Sequence, residues 1–264
     1  MELLRNVIIG QFIPGTSIIH RMDARIKIIL VFILMIVLFM IHSLAGMLLY
    51  TALVLTTLIL SRIPFSYILR GLRTVFILVI ITVIFNVFFT KGDIICKFYF
   101  IEITKQGLEL GFLMVFRIMM LLVLTSILTL TTSSINLTDA LESLMLPLRI
   151  FKFPAHEIAM MMTIALRFVP ILLFQTEKII KAQVSRGADF TSGSLVKRAK
   201  ALVPILVPLF ISAFKSAEEL AVAMEARCYQ TGIKRTKMRV QNITNLDLVV
   251  FLTASAWIIV MVLK

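Results

Sequence analysis

IKIILVFILMIVLFMIHSLAGMLLYTALVLTTLIL, residues 26–60, decides the architecture. Its only lysine or arginine is Lys27, at the edge, and only His42-Ser43 interrupts the apolar run. Such a stretch has no polar face to turn to water. A membrane-spanning helix needs roughly 20 apolar residues, with a range of about 17–25. Residues 26–41 and 44–60 therefore read as two spans joined by a tight turn, a helical hairpin in lipid. Lys27 extends the first by reaching its ammonium to the interface along an apolar stem.

Three further runs read the same way: 75–89, 108–130 and 246–263. Arg73 extends the first of these as Lys27 does for 26–41. The composition agrees, with 60% hydrophobic residues in 264 and a mean hydropathy of +1.03, where a soluble domain runs nearer ~45–50% apolar. Twenty-seven Lys and Arg against 14 Asp and Glu leave a net charge of +13. These basic residues flank apolar runs and do not alternate with exposed aromatics, so the excess points to membrane and protein partners, with no nucleic acid.

The basic residues also set orientation. Arg5, Arg21, Arg25 and Lys27 precede the first span, and Arg62, Arg70 and Arg73 lie between the second and third, whereas the 42–43 turn has no Lys or Arg. The positive-inside rule predicts a cytoplasmic amino terminus in a multi-pass protein of the cytoplasmic membrane. No cleavable signal peptide is expected, since the first long apolar run comes after Arg21, Arg25 and Lys27. The predicted fold is an all-α integral membrane protein with about five spans. Its parts are a cytoplasmic segment 1–25, a four-helix membrane region 26–131, a cytoplasmic or interfacial domain 132–245 of long helices, and a last span 246–264.

Region 132–245 is the hard one. Residues 158–174 and 201–214 are apolar enough to suggest two more spans. The first contains Arg167 and Pro170, and the second has fourteen residues with Pro204 and Pro208. Spans here would also carry Lys178, Lys181, Arg186, Lys197, Arg198 and Lys200 outside, against the charge rule. We read both as parts of two long helices, about 155–186 and 197–227, lying under or along the membrane. Each is apolar first and polar later, and each ends at an arginine: Ser185-Arg186-Gly187 and Ala226-Arg227-Cys228. A cation beside the last carbonyls of a helix is a common cap. Two parallel constructions of the same kind also suggest two equivalent docking points. Small residues Ala217, Ala221 and Ala223 predict a close helix crossing.

No parts for chemistry stand out. There is no phosphate-cradling Gly-x-x-x-x-Gly-Lys-Ser/Thr loop. Cys96 and Cys228 fit no disulfide or metal spacing, and His156-Glu157 lacks a second histidine because Met160 stands there. No metal or other cofactor is expected. Arg117, inside the fourth span, is expensive there and is expected to serve internal packing; Asn86 has no assigned partner. Asp23 and Arg25 are expected to lock the amino-terminal segment against the cytoplasmic domain.

At this point the chain resembles a known family, the transmembrane T components of energy-coupling factor (ECF) transporters. Residues 14–27, PGTSIIHRMDARIK, are similar to the family's PGxSxxHxLDxRxK element, and residues 166–170, LRFVP, to its LRFIP element. The two arginine motifs match Ala-Arg-Gly, with departures at Ser185 and Cys228. The resemblance implies a scaffold that hydrolyses no ATP, two ATP-binding cassette ATPase subunits docked at Ser185, Arg186, Gly187, Ala226, Arg227 and Cys228, and a small substrate-binding S component. Met160, Met161, Met162, Phe168, Leu209 and Phe210 are the candidate S-component contacts, with vitamin or other micronutrient uptake as the function. A conventional ABC-type permease or a membrane-embedded enzyme are the rivals; the first would need polar residues along several spans.

Overall fold

The structure is a computed structural model that describes residues 12–98, 101–151, 154–188, 190, 194–230 and 244–262. It is an all-α membrane protein with one small hairpin. The helices are α1 (Ile18–Arg21), α2 (Ala24–Met40), α3 (Leu44–Ser61), α4 (Phe65–Phe89), α5 (Lys105–Thr131), α6 (Ser134–Met145), α7 (Ala155–Ser185), α8 (Leu195–Ala226) and α9 (Asn245–Val262). A short 3-10 turn, Leu146–Phe151, follows α6. Strands β1 (Ile94–Phe98) and β2 (Ile101–Thr104) pair antiparallel between α4 and α5. The sequence reading named no element between the runs 75–89 and 108–130.

By packing, the described residues divide into one unit within 12–140 and 244–262 and another within 141–230. In the first, Leu34, Leu38, Tyr50, Val54 and Leu124 form a core among α2, α3 and α5. Tyr50 is wholly buried and donates its hydroxyl to the Leu34 carbonyl at 3.1 Å, which satisfies the one polar atom the core takes in. α4 and α5 approach closely at Gly107, where a Cβ would meet the Asn86 carbonyl oxygen at 2.9 Å. Any side chain there would push the helices apart. Asn86 finds a partner on its own helix, donating Nδ2–H to the Thr82 carbonyl at 2.9 Å.

Four described helices are long and apolar enough to cross a membrane: α3, α5, α7 and the Lys200–Ala226 part of α8. α4 makes a fifth if its bent halves, Phe65–Arg73 and Val75–Phe89, form one span. The number agrees with the expected five, but the membership differs. α2 has 17 residues, about 25 Å at 1.5 Å per residue, just short of a ~30 Å hydrocarbon core. α9 is likewise a shorter apolar helix over Asn245–Ile259. α7 and α8 qualify because each is nearly twice that length, so length and apolarity do not separate a span from a long surface helix.

Candidate functional site: two arginine-tipped helix ends

In the second unit, α7 and α8 run antiparallel. Ser212 Oγ donates to Gln175 Oε1 at 3.0 Å, and eight residues later on α7, eight earlier on α8, Gln183 Nε2 donates to the Pro204 carbonyl at 3.4 Å. The second bond has a local cause. Pro208 has no N–H, so the Pro204 carbonyl lacks its i+4 donor, and Gln183 fills the gap. Farther along, Ala213, Ala217 and Ala221 of α8 face Ile164, Phe168 and Leu172 of α7 around an apolar groove of about 220 Å³. Two of the three expected small residues thus line the groove; Ala223 does not.

The antiparallel arrangement sends Arg186 and Arg227 to opposite ends of the pair, and both ends are built alike. At the first, Gly187 N–H bonds the Val184 carbonyl at 2.9 Å and Ala188 N–H bonds the Gln183 carbonyl at 3.0 Å. At the second, Cys228 N–H bonds the Glu225 carbonyl at 2.8 Å and Tyr229 N–H bonds the Met224 carbonyl at 2.9 Å. Each is a complete Schellman motif, with the left-handed residue at φ 87° (Gly187) and φ 56° (Cys228). Cysteine adopts here a conformation that glycine enters without strain. The departure from Ala-Arg-Gly therefore leaves the backbone geometry intact.

The caps bear on what the arginines do. Backbone N–H groups already close these carbonyls, and Arg186 and Arg227 add their own N–H groups to the same turns. Their side chains are exposed and form no hydrogen bond or ion pair with any described residue. Neither guanidinium is needed as a cap. Ser185, Gly187, Ala226 and Cys228 are exposed beside them.

The apolar candidates divide. Met161, Met162 and Phe210 are exposed, Met160 and Leu209 are half-buried, and Phe168 turns into the α7–α8 groove. Leu209 and Phe210 lie level with the C-terminal third of α7, between its contacts at Gln175 and Gln183, so about 24 Å of helix separates them from the three methionines. They do not form one patch.

The amino-terminal motif is a hydrogen-bonded lock in the first unit. Ser17 caps α1 and its Oγ lies 2.6 Å from His20 Nδ1, while His20 Nε2–H donates to the Ile13 carbonyl at 3.0 Å. Asp23 caps α2 by accepting from Arg25 N–H at 2.9 Å, and its own N–H donates to Asp247 Oδ1 at 3.0 Å. Asp247, 1% exposed, accepts from Thr244 N–H and Oγ1–H with its other oxygen. Lys27, 4% exposed, donates to the Thr131 carbonyl and Thr132 Oγ, each at 3.2 Å. The lock thus holds the head of α9 and the end of α5. Sequence reading missed Asp247, although a lone acid at the head of an apolar run is the signal that marks such a residue. Arg117 serves packing as expected: its Nη2 donates to the Phe39 and Ile41 carbonyls at 3.0 and 3.3 Å, closing the end of α2.

Residues 15–239 match a family model described as CbiQ, cobalt transport protein. The chain is 48% identical over 265 residues to the energy-coupling factor transporter transmembrane protein of Ruminiclostridium cellulolyticum, covering 98% of each chain. It is 50% identical over 249 residues to the protein of that name from Thermosediminibacter oceani, covering 94% of each. It is 44% identical over 238 residues to that of Bacillus subtilis, covering 90% of each. Matches of this extent, over a multi-pass helical chain, place the protein in the family of ECF transporter transmembrane (T) components.

Proposed function

We propose that this T component is a non-catalytic scaffold that carries motion from two cytoplasmic ATP-binding cassette ATPases to a small substrate-binding S component, in the uptake of a vitamin or other micronutrient. The observation that carries the reading is the pair of identical helix ends, each presenting an exposed arginine that its own fold does not use. A planar guanidinium makes bidentate, charge-assisted bonds to a carboxylate or backbone groove, which lysine does not copy. Each arginine ends a helix of about 45 Å, so a push at one end moves the whole rod. The exposed apolar residues of α7 and α8, with Met161, Met162 and Phe210 among them, suit a pliable contact with a membrane partner.

The reading requires both arginines on the cytoplasmic side of the cell membrane, with the amino terminus. Position 185 decides this. In a chain with Cys96 replaced by Ser, Ser185→Cys and the native Cys228 should both escape a membrane-impermeant thiol reagent on intact cells. Both should react in inside-out vesicles. External labelling at position 185 would make α7 and α8 spans and remove Arg186 from the reach of a cytoplasmic ATPase. The isolated chain should bind no ATP; micromolar binding would revive the enzyme alternative.

A further inference from the structure

Two cavities of opposite polarity meet at Lys27 in the first unit. One, of about 170 Å³, is polar and is lined by His20, Arg21, Asp23, Lys27, Thr132 and Asn136. The other is an apolar groove of about 120 Å³ that also takes in Lys27 and Met22, then runs past Leu30, Leu34 and Leu128 to Ala254. The start of α2, the end of α5 and the start of α9 are hydrogen-bonded together here, and Leu60, near the end of α3, lines the groove. In a bundle that passes up and down through lipid, these four ends belong to one interface. The polar cavity is at that level, and the groove leads about 10 Å, two helical turns of α2, toward the hydrocarbon.

Two buried polar groups at the junction are incomplete. Lys27 uses two of its three N–H donors and has no ion pair with any described residue. Asp23 Oδ2 is buried with no hydrogen-bond donor. The Asp247 and Asp23 carboxylates act on the ammonium through space, and Arg25 Nε stands 4.0 Å from Asp23 Oδ1, but a buried N–H without an acceptor and a buried oxygen without a donor are both costly. We propose that the two cavities hold one phospholipid: its phosphodiester beside Lys27 and Arg21, a head-group hydroxyl donating to Asp23 Oδ2, and the upper part of one acyl chain in the groove. A phosphate oxygen accepts the third Lys27 N–H beside Arg21, the hydroxyl donates to the Asp23 carboxylate, and the chain fills an apolar space that water would leave dry.

Phosphatidylglycerol carries all three features and serves as the probe. Added to the full chain in mild detergent, it should raise the unfolding temperature saturably, and native mass spectrometry should show it retained. Phosphatidylcholine, which has no head-group donor, and inorganic phosphate, which has no chain, should do neither. Arg21→Gln, at an exposed position, should weaken binding about tenfold, the size of one lost charge-assisted bond. Ala254→Leu should fill the groove and weaken binding at least as much, while keeping the lipid-free unfolding temperature at or above that of the native chain. Equal shifts from phosphatidylcholine, equal shifts from inorganic phosphate, or unchanged binding in Ala254→Leu would each overturn the proposal.

Discussion

The amino-terminal lock and the arginine-tipped helix ends are both short polar motifs beside apolar helices, yet the fold treats them oppositely. Around Ser17, His20, Asp23 and Lys27 the polar groups are consumed locally: Ser17 pairs with His20, the Asp23 N–H donates to Asp247 of α9, and Lys27 donates to the end of α5. At Arg186 and Arg227 the backbone completes its own caps and the side chains extend outward with nothing to hold. A motif consumed by the fold serves stability. A motif that the fold builds twice and leaves unused is available to something else.

The comparison breaks most sharply at the arginines. Arg186→Ala or Arg227→Ala should each weaken uptake and ATPase coupling, because a lost interfacial arginine costs on the order of 2–5 kcal/mol. One loss is tolerable while the linked second contact acts at high effective concentration. The double change should abolish transport and assembly with the ATPases, measured by co-purification and by substrate uptake, while the chain still inserts. Arg→Lys should rescue poorly, since it keeps the charge and loses the fork. Normal transport by an assembled double-alanine variant would reduce both arginines to ornaments of helix ends.

The lock should answer in the opposite way. Asp247→Ala leaves Asp23 N–H and the Thr244 donors unpaired at a buried site, at a cost of about 2–3 kcal/mol. Unfolding of the purified chain should move down accordingly. Coupling per folded molecule should stay near normal.

The motifs themselves were legible in sequence, and so were the two long helices, whose ends fell within two residues of the structure. The change from apolar to polar along each helix and the terminal arginines agree there, as do two of the three small residues of α8. What escaped was pairing at a distance. Nothing local ties Asp23 to Asp247, 224 residues away, and the lock was expected against the cytoplasmic domain. The antiparallel sense of α7 and α8, which separates Met161 from Phe210, also depends on tertiary contacts alone. The β1–β2 hairpin was hidden because its strands have four or five residues, too few to set a period against their apolar neighbours.

Finer substitutions separate cap geometry from arginine chemistry. Gly187 holds φ 87° with open space around it, so Gly187→Ala costs backbone strain alone, about 1 kcal/mol. Cys228→Gly removes the same strain and should stabilise the α8 end by a similar amount. Amide exchange at Tyr229 and Ala188, whose N–H groups close the two motifs, reads these opposite changes directly. Equal responses at both ends would mean that the two caps are not equivalent.

The smallest effect concerns pH and touches only one side of the comparison. Burial of the His20 ring, with Lys27 nearby, lowers its pKa below the ordinary 6.5; the bond to the Ile13 carbonyl opposes this without reversing it. The folded state therefore favours the neutral ring, with Nε2–H on Ile13 and Nδ1 accepting from Ser17. Below pH 6.5 the unfolded chain binds this proton more readily than the folded one, so stability falls as pH drops toward the folded value. Above pH 6.5 the contribution is complete and flat. Unfolding temperatures of the native chain and of His20→Gln, compared between pH 5 and 8, isolate the effect from other titrating groups. The difference between them should shrink toward acid pH and hold constant above 6.5. A difference that instead grew on acidification would show that His20 is charged in the lock, with Ser17 as acceptor.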